Sequence, residues 1–304
     1  MRGCSLAAVA AALLLLSACG ATPGPSGSIQ PTPSLRSADA SPPGASVSPA
    51  ATASATPSDT PRPTAAPPAS GCHAGNRVPA GEQQTFTRVA GAGPAVALTF
   101  DMGGRLVPGI DILNFLIANE VCTTIFPTGA MAETPGGQQV MSVIAAHPEL
   151  FEIGNHTMHH CDLVKGGGGS PTAAPCKGIT PTAAFVRSEL TDAAAILARF
   201  SGQQPVPYWR PPYGVNNRSV RDTAASVGYT KTVMWDVDTI DWKPIADGGP
   251  SAQQIATKVV GHAVDGSIVL MHLGGYETLD AVRIMVPALR ERGFLLTSVS
   301  DLLN

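Results

Sequence analysis

Short apolar runs alternate with stretches of helix-like periodicity along the last three quarters of the chain. This alternation predicts a parallel sheet with crossover helices, either open or closed into a barrel. In both architectures, functional groups are expected at the carboxyl ends of the strands. The predicted strands are 95–100, 122–126, 150–153, 207–209, 230–235, 267–271 and 294–297, and the predicted helices are 108–119, 137–146, 181–200, 219–227, 253–264 and 279–292.

The first residues of the chain follow a different pattern. An apolar run, 5–16, is too short to span a bilayer and has the length of a signal-peptide core. It ends in Leu16-Ser17-Ala18-Cys19, which resembles the lipobox of bacterial lipoproteins. The resemblance implies cleavage of a signal peptide, 1–18, and a lipid on the sulfur of Cys19 that anchors the protein to the outer face of the cell membrane. The alternative is an ordinary secretory signal that is cut after Ala18.

Composition separates a low-complexity segment from the rest. Glycine (32 residues) and proline (28 residues) are too frequent for one uniform globular domain. Twelve of the prolines lie in residues 20–70, and the first aromatic residue of the chain is Phe86. Such a segment cannot bury enough apolar surface to offset its chain entropy. We therefore predict that residues 19–70 form a disordered linker, either a tether from the membrane or a spacer without a length requirement.

Residues 71–304 are numerous enough to build one substantial core, and we expect a single, monomeric domain. The net charge of −3 and the pI near 6.1 argue against a nucleic-acid binder, which usually has a basic face.

Four cysteines fall within this predicted domain and allow three pairings. Cys161 and Cys176 flank a glycine-rich segment, 165–170, so a bond between them would close a flexible loop. Cys72 then pairs with Cys122. The cysteines do not have zinc-finger spacing, so we interpret them as disulfides of an exported domain rather than as thiolate metal ligands.

Polar side chains follow several of the predicted strands. Asp101 comes directly after strand 95–100, beside two glycines. After strand 150–153, three of the seven histidines of the chain lie within five residues. His156 and His160 are four residues apart, so one helical turn would place both imidazoles on the same side, as metal ligation requires. This crowding favours a metal site over surface histidines.

Three later strands end in the same way. Arg210 begins an Arg-Pro-Pro-Tyr-Gly sequence, in which the two prolines make a rigid turn that could hold the guanidinium against a carboxylate. Asp241 follows strand 230–235 in a loop, and His272 ends strand 267–271. Polar groups at five strand ends in succession indicate one functional site.

Five segments resemble, in order, the motifs of the polysaccharide deacetylases of carbohydrate esterase family four, which share the NodB-homology fold. The resemblance spans residues 99–272 and implies a distorted (β/α)7 barrel over 71–304. It also implies metal-dependent removal of N-acetyl, or O-acetyl, groups from an acetylated polysaccharide. The segments are Thr99-Phe100-Asp101, His156-Thr157-Met158-His159-His160, Arg210-Pro211-Pro212-Tyr213, Asp241-Trp242 and Leu270-Met271-His272.

The resemblance also implies roles for single residues. Asp101 is similar to the general base that takes a proton from the attacking water, and Arg210 would keep it ionised. His156 and His160 are similar to ligands of a divalent metal, Zn²⁺ or Co²⁺, that acts as a Lewis acid. The backbone N–H of Tyr213 would stabilise the oxyanion.

For the departure of the leaving group, His272 resembles the general acid that protonates the leaving amine. Asp241 would orient this imidazole and raise its pKa. Trp242 and Leu270 would wall the acetyl pocket.

One position departs from the family pattern, which has a second, metal-binding aspartate where this chain has Met102. A thioether is a weak ligand for such cations. The site could hold metal through two histidines and water, recruit Asp162, or bind metal poorly. The alternative to an enzyme is therefore a glycan-binding protein with the same fold. The intact acid, base and their partners favour the enzyme, and peptidoglycan, chitin-like oligomers, acetylated xylan and poly-N-acetylglucosamine remain open as substrates.

Overall fold

The structure is a computed structural model and describes residues 80–304. The predicted signal peptide, the lipidation site at Cys19, the linker and Cys72 lie outside the described residues.

All seven predicted strands form in the described part of the chain, and two short strands, β1 and β7, accompany them. These two were missed because segments of two or three residues carry too little periodicity to be recognised. The strands are β1 Gln84–Phe86, β2 Ala95–Met102, β3 Thr123–Pro127, β4 Phe151–Ile153, β5 Tyr208–Trp209, β6 Lys231–Val233, β7 Val237–Asp238, β8 Ser267–His272 and β9 Leu295–Thr297.

The strands pair in parallel throughout both sheets. One sheet has the order β4-β3-β2-β8-β7, with β9 also paired to β2, and the other has the order β1-β6-β5. A parallel bridge between Asn155 and Trp209 connects the end of β4 to β5, so the sheets continue into each other on this side. The ladder is interrupted between β6 and β7, which belong to different sheets. The parallel α/β fold confirms the predicted class.

The six predicted helices also form, and the short helices α2 and α8 were not predicted. Most helices begin where a Thr, Asn or Ser side chain accepts a hydrogen bond from a backbone N–H of the first turn, as at Thr134, Thr182, Asn217 and Ser251. The helices are α1 Gly109–Ala118, α2 Gly129–Glu133, α3 Pro135–Ala146, α4 Ala183–Ser201, α5 Arg218–Ala225, α6 Ala252–His262, α7 Thr278–Glu291 and α8 Val299–Leu303. Within residues 80–304, none of them is long and apolar enough to cross a membrane.

The central strand β2 is buried on both faces and contributes side chains to two of the three core clusters. Val96, Leu98, Phe100 and Met102 join the large outer cluster that also includes residues of α1, α3 and α7. Because side chains alternate along a strand, Asp101 points to the opposite face, toward the barrel interior. The local pattern of β2 thus separates Asp101 from Met102.

Candidate functional site

Asp101 and Arg210 form a buried ion pair at the carboxyl end of β2. Nη1 of Arg210 donates to Oδ1 of Asp101 over 2.8 Å. The other guanidinium nitrogens are also used, since Nε donates to the carbonyl of Val233 and Nη2 donates to the hydroxyl of Thr99. The guanidinium carbon lies 4.3 Å from the centre of the Phe126 ring. This network fixes the carboxylate in one orientation.

The same contacts set the charge of Asp101. Burial alone would raise the pKa of this carboxyl, but its electrostatic interactions with His156 and Arg210 outweigh that effect and lower the pKa. Burial lowers the pKa of His156 itself, so Arg210 supplies the lasting positive charge at neutral pH. Asp101 is therefore ionised at neutral pH, in the form that a general base needs.

His156 and His160 lie together beside this ion pair, with their ring centres 4.8 Å apart. The predicted helical turn between them is wrong, because Thr157 and His160 have left-handed φ values of 70° and 58°. An irregular segment brings the rings together instead. Gly103 runs against them, and a Cβ there would lie only 2.7 Å from Cδ2 of His160.

The two imidazoles suit a divalent cation. Burial lowers the pKa of His156 and lowers that of His160 to about 3, so both rings are neutral. Nδ1 of His156 donates to the carbonyl of Arg210, which leaves a lone pair on Nε2. This Nε2 lies 3.3 Å from Oδ2 of Asp101, so the neutral ring presents its lone pair beside a carboxylate. Neutral imidazoles are the ligands that Zn²⁺ and Co²⁺ accept.

The candidates for a third ligand do not join this pair. Met102 is fully buried in the outer core cluster, on the face of β2 opposite to Asp101. Asp162 uses its Oδ1 to accept hydrogen bonds from the backbone N–H groups of Val164 and Lys165. The recruitment of Asp162 is therefore not seen. Among residues 80–304, no three His, Cys, Asp or Glu side chains form a complete ligand set.

Zinc titration tests this donor set. His156→Ala should weaken the Zn²⁺ affinity of the full chain by at least about tenfold, because one of the two imidazole donors is lost. Met102→Leu, which removes the sulfur and keeps the side chain apolar and similar in size, should leave the affinity unchanged. Isothermal titration calorimetry on the three proteins measures both. An equal loss in the Met102→Leu variant would show that the thioether reaches the metal.

His272 and Asp241 form the second titratable pair. Nδ1 of His272 is 2.7 Å from Oδ1 of Asp241, and the backbone N–H of His272 donates to Oδ2. Burial alone would lower the pKa of His272, but the hydrogen bond and charge of Asp241 outweigh it and raise the pKa. His272 therefore keeps its proton to higher pH than an ordinary histidine, with Nε2 as the end that faces away from Asp241.

Two residues that support this pair were not identified from the sequence. The hydroxyl of Thr278, at the start of α7, donates to Oδ2 of Asp241. Gly275 lies against the same carboxylate, and a Cβ there would collide with both Oδ2 of Asp241 and the Thr278 hydroxyl. The adjacent glycines Gly274 and Gly275 could have indicated this contact from the sequence, because adjacent glycines often mark a close backbone approach.

The base and the acid are neighbours in the sheet. Asp101 on β2 and His272 on β8 are register partners in a parallel ladder, so their side chains leave the same face of the sheet side by side. Leu270 lies two residues before His272 on that face and is buried. The structure thus brings both titratable pairs and the histidine pair to one end of the barrel.

Two aromatic residues lie at the rim of this site. Tyr213, with a φ of 60°, stacks its ring edge to face on His160 with 4.6 Å between ring centres. Trp242 directly follows Asp241, and its side chain is 55% exposed. Trp242 is therefore a surface residue next to the acid pair, and its place in the wall of the acetyl pocket stays a prediction.

Cys161 and Cys176 are joined by a disulfide bond, with their Cα atoms 5.3 Å apart. The bond closes the glycine-rich loop that follows His160. The second predicted pairing includes Cys72 and so falls outside the described residues.

A family model matches the part of the chain that carries most of this site. Residues 88–232 match the model described as polysaccharide deacetylase, and this range includes Asp101, both histidines of the pair, Arg210 and Tyr213. The part of the chain that carries these residues is thus similar to polysaccharide deacetylases. Asp241 and His272 lie beyond the matched range and complete the site from the later strands of the same sheet.

The chain is also similar to curated proteins. A chitooligosaccharide deacetylase from Sinorhizobium fredii is 28% identical over 229 residues, which cover 71% of this chain and 95% of that protein. A peptidoglycan-N-acetylglucosamine deacetylase from Bacillus cereus is 32% identical over 202 residues, which cover 65% of this chain and 64% of that protein.

A solved structure adds a second kind of neighbour. It is a mutant, with restored enzymatic activity, of a carbohydrate esterase family four pseudoenzyme from Bacillus anthracis. It superposes with a TM-score of 0.61 at 25% identity and covers 73% of this chain and 72% of that chain. The fold therefore also occurs in proteins that have lost catalysis.

Proposed function

We propose that the protein removes acetyl groups from an acetylated polysaccharide by hydrolysis, acting on N-acetyl groups and, where the substrate carries them, on O-acetyl groups. The observation that carries the proposal is the pairing of Asp101 with His272. One has a lowered pKa and the other a raised pKa, and they are register partners on neighbouring strands. A base that is ionised and an acid that is protonated at the same pH are what acyl hydrolysis requires.

In the proposed mechanism, Asp101 takes a proton from the water that attacks the acetyl carbonyl. Arg210 holds Oδ1 of that carboxylate, so Oδ2 is the atom left to receive the proton. The backbone N–H of Tyr213 stabilises the oxyanion, a contact for which one donor contributes about 3 kcal/mol. His272 then gives the proton on Nε2 to the leaving nitrogen while Asp241 holds Nδ1.

His156 and His160 are the residues that would hold a divalent cation, Zn²⁺ or Co²⁺. Such a cation supplies Lewis-acid polarisation of the carbonyl and of the attacking water. His156 is oriented for this task by its hydrogen bond to the Arg210 carbonyl, which fixes its tautomer.

Acetate release from a panel of glycans tests the proposal. The panel contains chitin-like oligomers, peptidoglycan, poly-N-acetylglucosamine and acetylated xylan, each with the full chain, with chelator, and with added Zn²⁺ or Co²⁺. We expect release from at least one substrate, loss of release with chelator, and recovery with metal. Acetate release that is insensitive to chelator would contradict the role of the metal. It would leave Asp101 as the base and His272 as the acid in the proposed mechanism.

A second candidate is a glycan-binding protein with the same fold. It is favoured by Met102, which leaves the histidine pair without the family's second aspartate, and by the existence of a pseudoenzyme with a similar fold. Oligosaccharide binding without acetate release would support it.

We further propose that the chain is a lipoprotein on the outer face of the cell membrane, supported by Leu16-Ser17-Ala18-Cys19. Cys19→Ala should abolish acylation and release the protein from the membrane fraction, because no thiol remains to carry the lipid. Metabolic labelling with a fatty acid and membrane fractionation measure both effects. Membrane association that persists without Cys19 would contradict the lipobox interpretation.

A further inference from the structure

The loop closed by the disulfide bond, residues 161–176, is tied to the segment that carries the histidine pair. We call it the glycine loop. Its first residue, Cys161, follows His160 directly. From the far side of the loop, the backbone N–H of Gly169 donates to the carbonyl of His160 over 3.1 Å, and that of Ser170 donates to the carbonyl of His159 over 2.9 Å. The disulfide bond closes the loop over these contacts.

The same loop packs on Tyr213. The N–H of Gly169 is also within 3.3 Å of the Tyr213 hydroxyl, which accepts from it. A Cβ at Gly168 would collide with that hydroxyl and lie 2.8 Å from Cε2 of the ring. Since the Tyr213 ring also stacks on His160, loop, tyrosine and histidine form one continuous contact. The contact exists only because residue 168 has no side chain.

The backbone of Tyr213 needs such support. Its φ of 60° lies in the left-handed region, which is costly for a residue with a side chain and persists where the surroundings enforce it. The Tyr213 hydroxyl and ring are held by the glycine loop on one side and by His160 on the other. Residue 213 is also the position whose backbone N–H is the oxyanion donor of the proposed mechanism.

We propose that the glycine loop is a positioning element of the active site. Through the side chain of Tyr213 it fixes the peptide group that faces the oxyanion, and through its backbone hydrogen bonds it fixes His160. The loop acts on turnover and on metal binding without itself touching the reacting atoms. Its effect on turnover rests on the proposed function, whereas its effect on His160 does not.

The loop contains its own matched control. Gly167 and Gly168 have nearly the same φ, 82° and 75°, so an added side chain is placed in the left-handed region at both positions. A Cβ at Gly167 would meet nothing within 4 Å, whereas a Cβ at Gly168 would push on Tyr213. The two alanine variants therefore separate strain in the loop from displacement of Tyr213.

The test measures kcat and KM for acetate release by the full chain in a double-mutant cycle. Gly168→Ala should lower kcat by about tenfold or more with little change in KM, because small displacements of a catalytic group mainly reduce the rate of the chemical step. Gly167→Ala should keep the wild-type kcat. In a Tyr213→Ala background, Gly168→Ala should have no further effect, because the ring on which the new methyl group pushes is gone.

A loss in Gly168→Ala that equals the loss in Gly167→Ala, or that persists in the Tyr213→Ala background, would overturn the proposal. Zn²⁺ affinity of the same variants is the second readout. If wild type binds Zn²⁺ but releases no acetate, the proposed function fails. In that case, a Zn²⁺ affinity that is weaker in Gly168→Ala but not in Gly167→Ala still supports positioning of His160 by the loop. Equal affinity in all variants would overturn that part, and a chain with neither activity nor Zn²⁺ binding would overturn both proposals.

Discussion

Replacing Asp101 by asparagine is expected to lower kcat by about 10³-fold, the range that loss of a general base produces. The asparagine oxygen still accepts a hydrogen bond from Arg210, but the side chain cannot take a proton from water. The change also leaves the buried guanidinium of Arg210 without a counter-charge, which should cost about 3 kcal/mol of folding free energy. Acetate release gives kcat, and chemical denaturation gives the change in stability.

Asp280→Asn is the control for this variant. Asp280 lies on α7, where its exposed carboxylate pairs with Arg283. Because exposed ion pairs contribute at most about 1 kcal/mol, this change should leave both kcat and stability close to wild type. An Asp101→Asn enzyme that keeps more than about a tenth of the wild-type kcat would contradict the role of Asp101 as the base.

Replacing Asp241 by asparagine should have the second largest effect, a fall of kcat by about 10²-fold and a change in the pH profile. In the wild type, activity should rise with pH as Asp101 loses its proton and fall again as His272 loses its own. Burial opposes the charged form of His272, and Asp241 is what raises its pKa. Without that carboxylate the pKa of His272 falls, so the alkaline limb should move to lower pH.

The acid limb of the pH profile is the internal control, because it reports the deprotonation of Asp101 and should not move in the Asp241→Asn enzyme. Asp247→Asn, a change of an exposed aspartate in the loop after Trp242, should leave both limbs where they are. The profiles of kcat/KM for the three proteins measure the shift. An alkaline limb that does not move in the Asp241→Asn enzyme would show that another group is the acid.

The alternation of apolar runs with helical periodicity was sufficient to predict the main elements. β2 and β8 are buried on nearly every residue, so their apolar runs are continuous and easy to recognise. Asp101 and His272 are recognisable for the same reason, since each is a charged or titratable residue at the carboxyl-terminal part of a mainly apolar strand. The position of the site at the carboxyl ends of the strands follows from parallel topology alone.

Other features depend on contacts that the sequence does not display. Met102 follows Asp101 in the chain, yet the alternation of a strand sends its side chain to the outer core. Thr278 reaches Asp241 only because α7 begins beside that carboxylate. The histidine pair lies on an irregular segment with left-handed residues, whereas the spacing of four residues suggested a helical turn.

The most direct test of the central claim is the number of acetate molecules that each molecule of wild-type full chain releases from an N-acetylated oligosaccharide with Zn²⁺ or Co²⁺ present. We expect continuing release over many turnovers, with the Asp101→Asn variant close to background in the same assay. Binding of the oligosaccharide with no more acetate released than by Asp101→Asn would contradict the proposed hydrolysis and identify the domain as a glycan-binding protein.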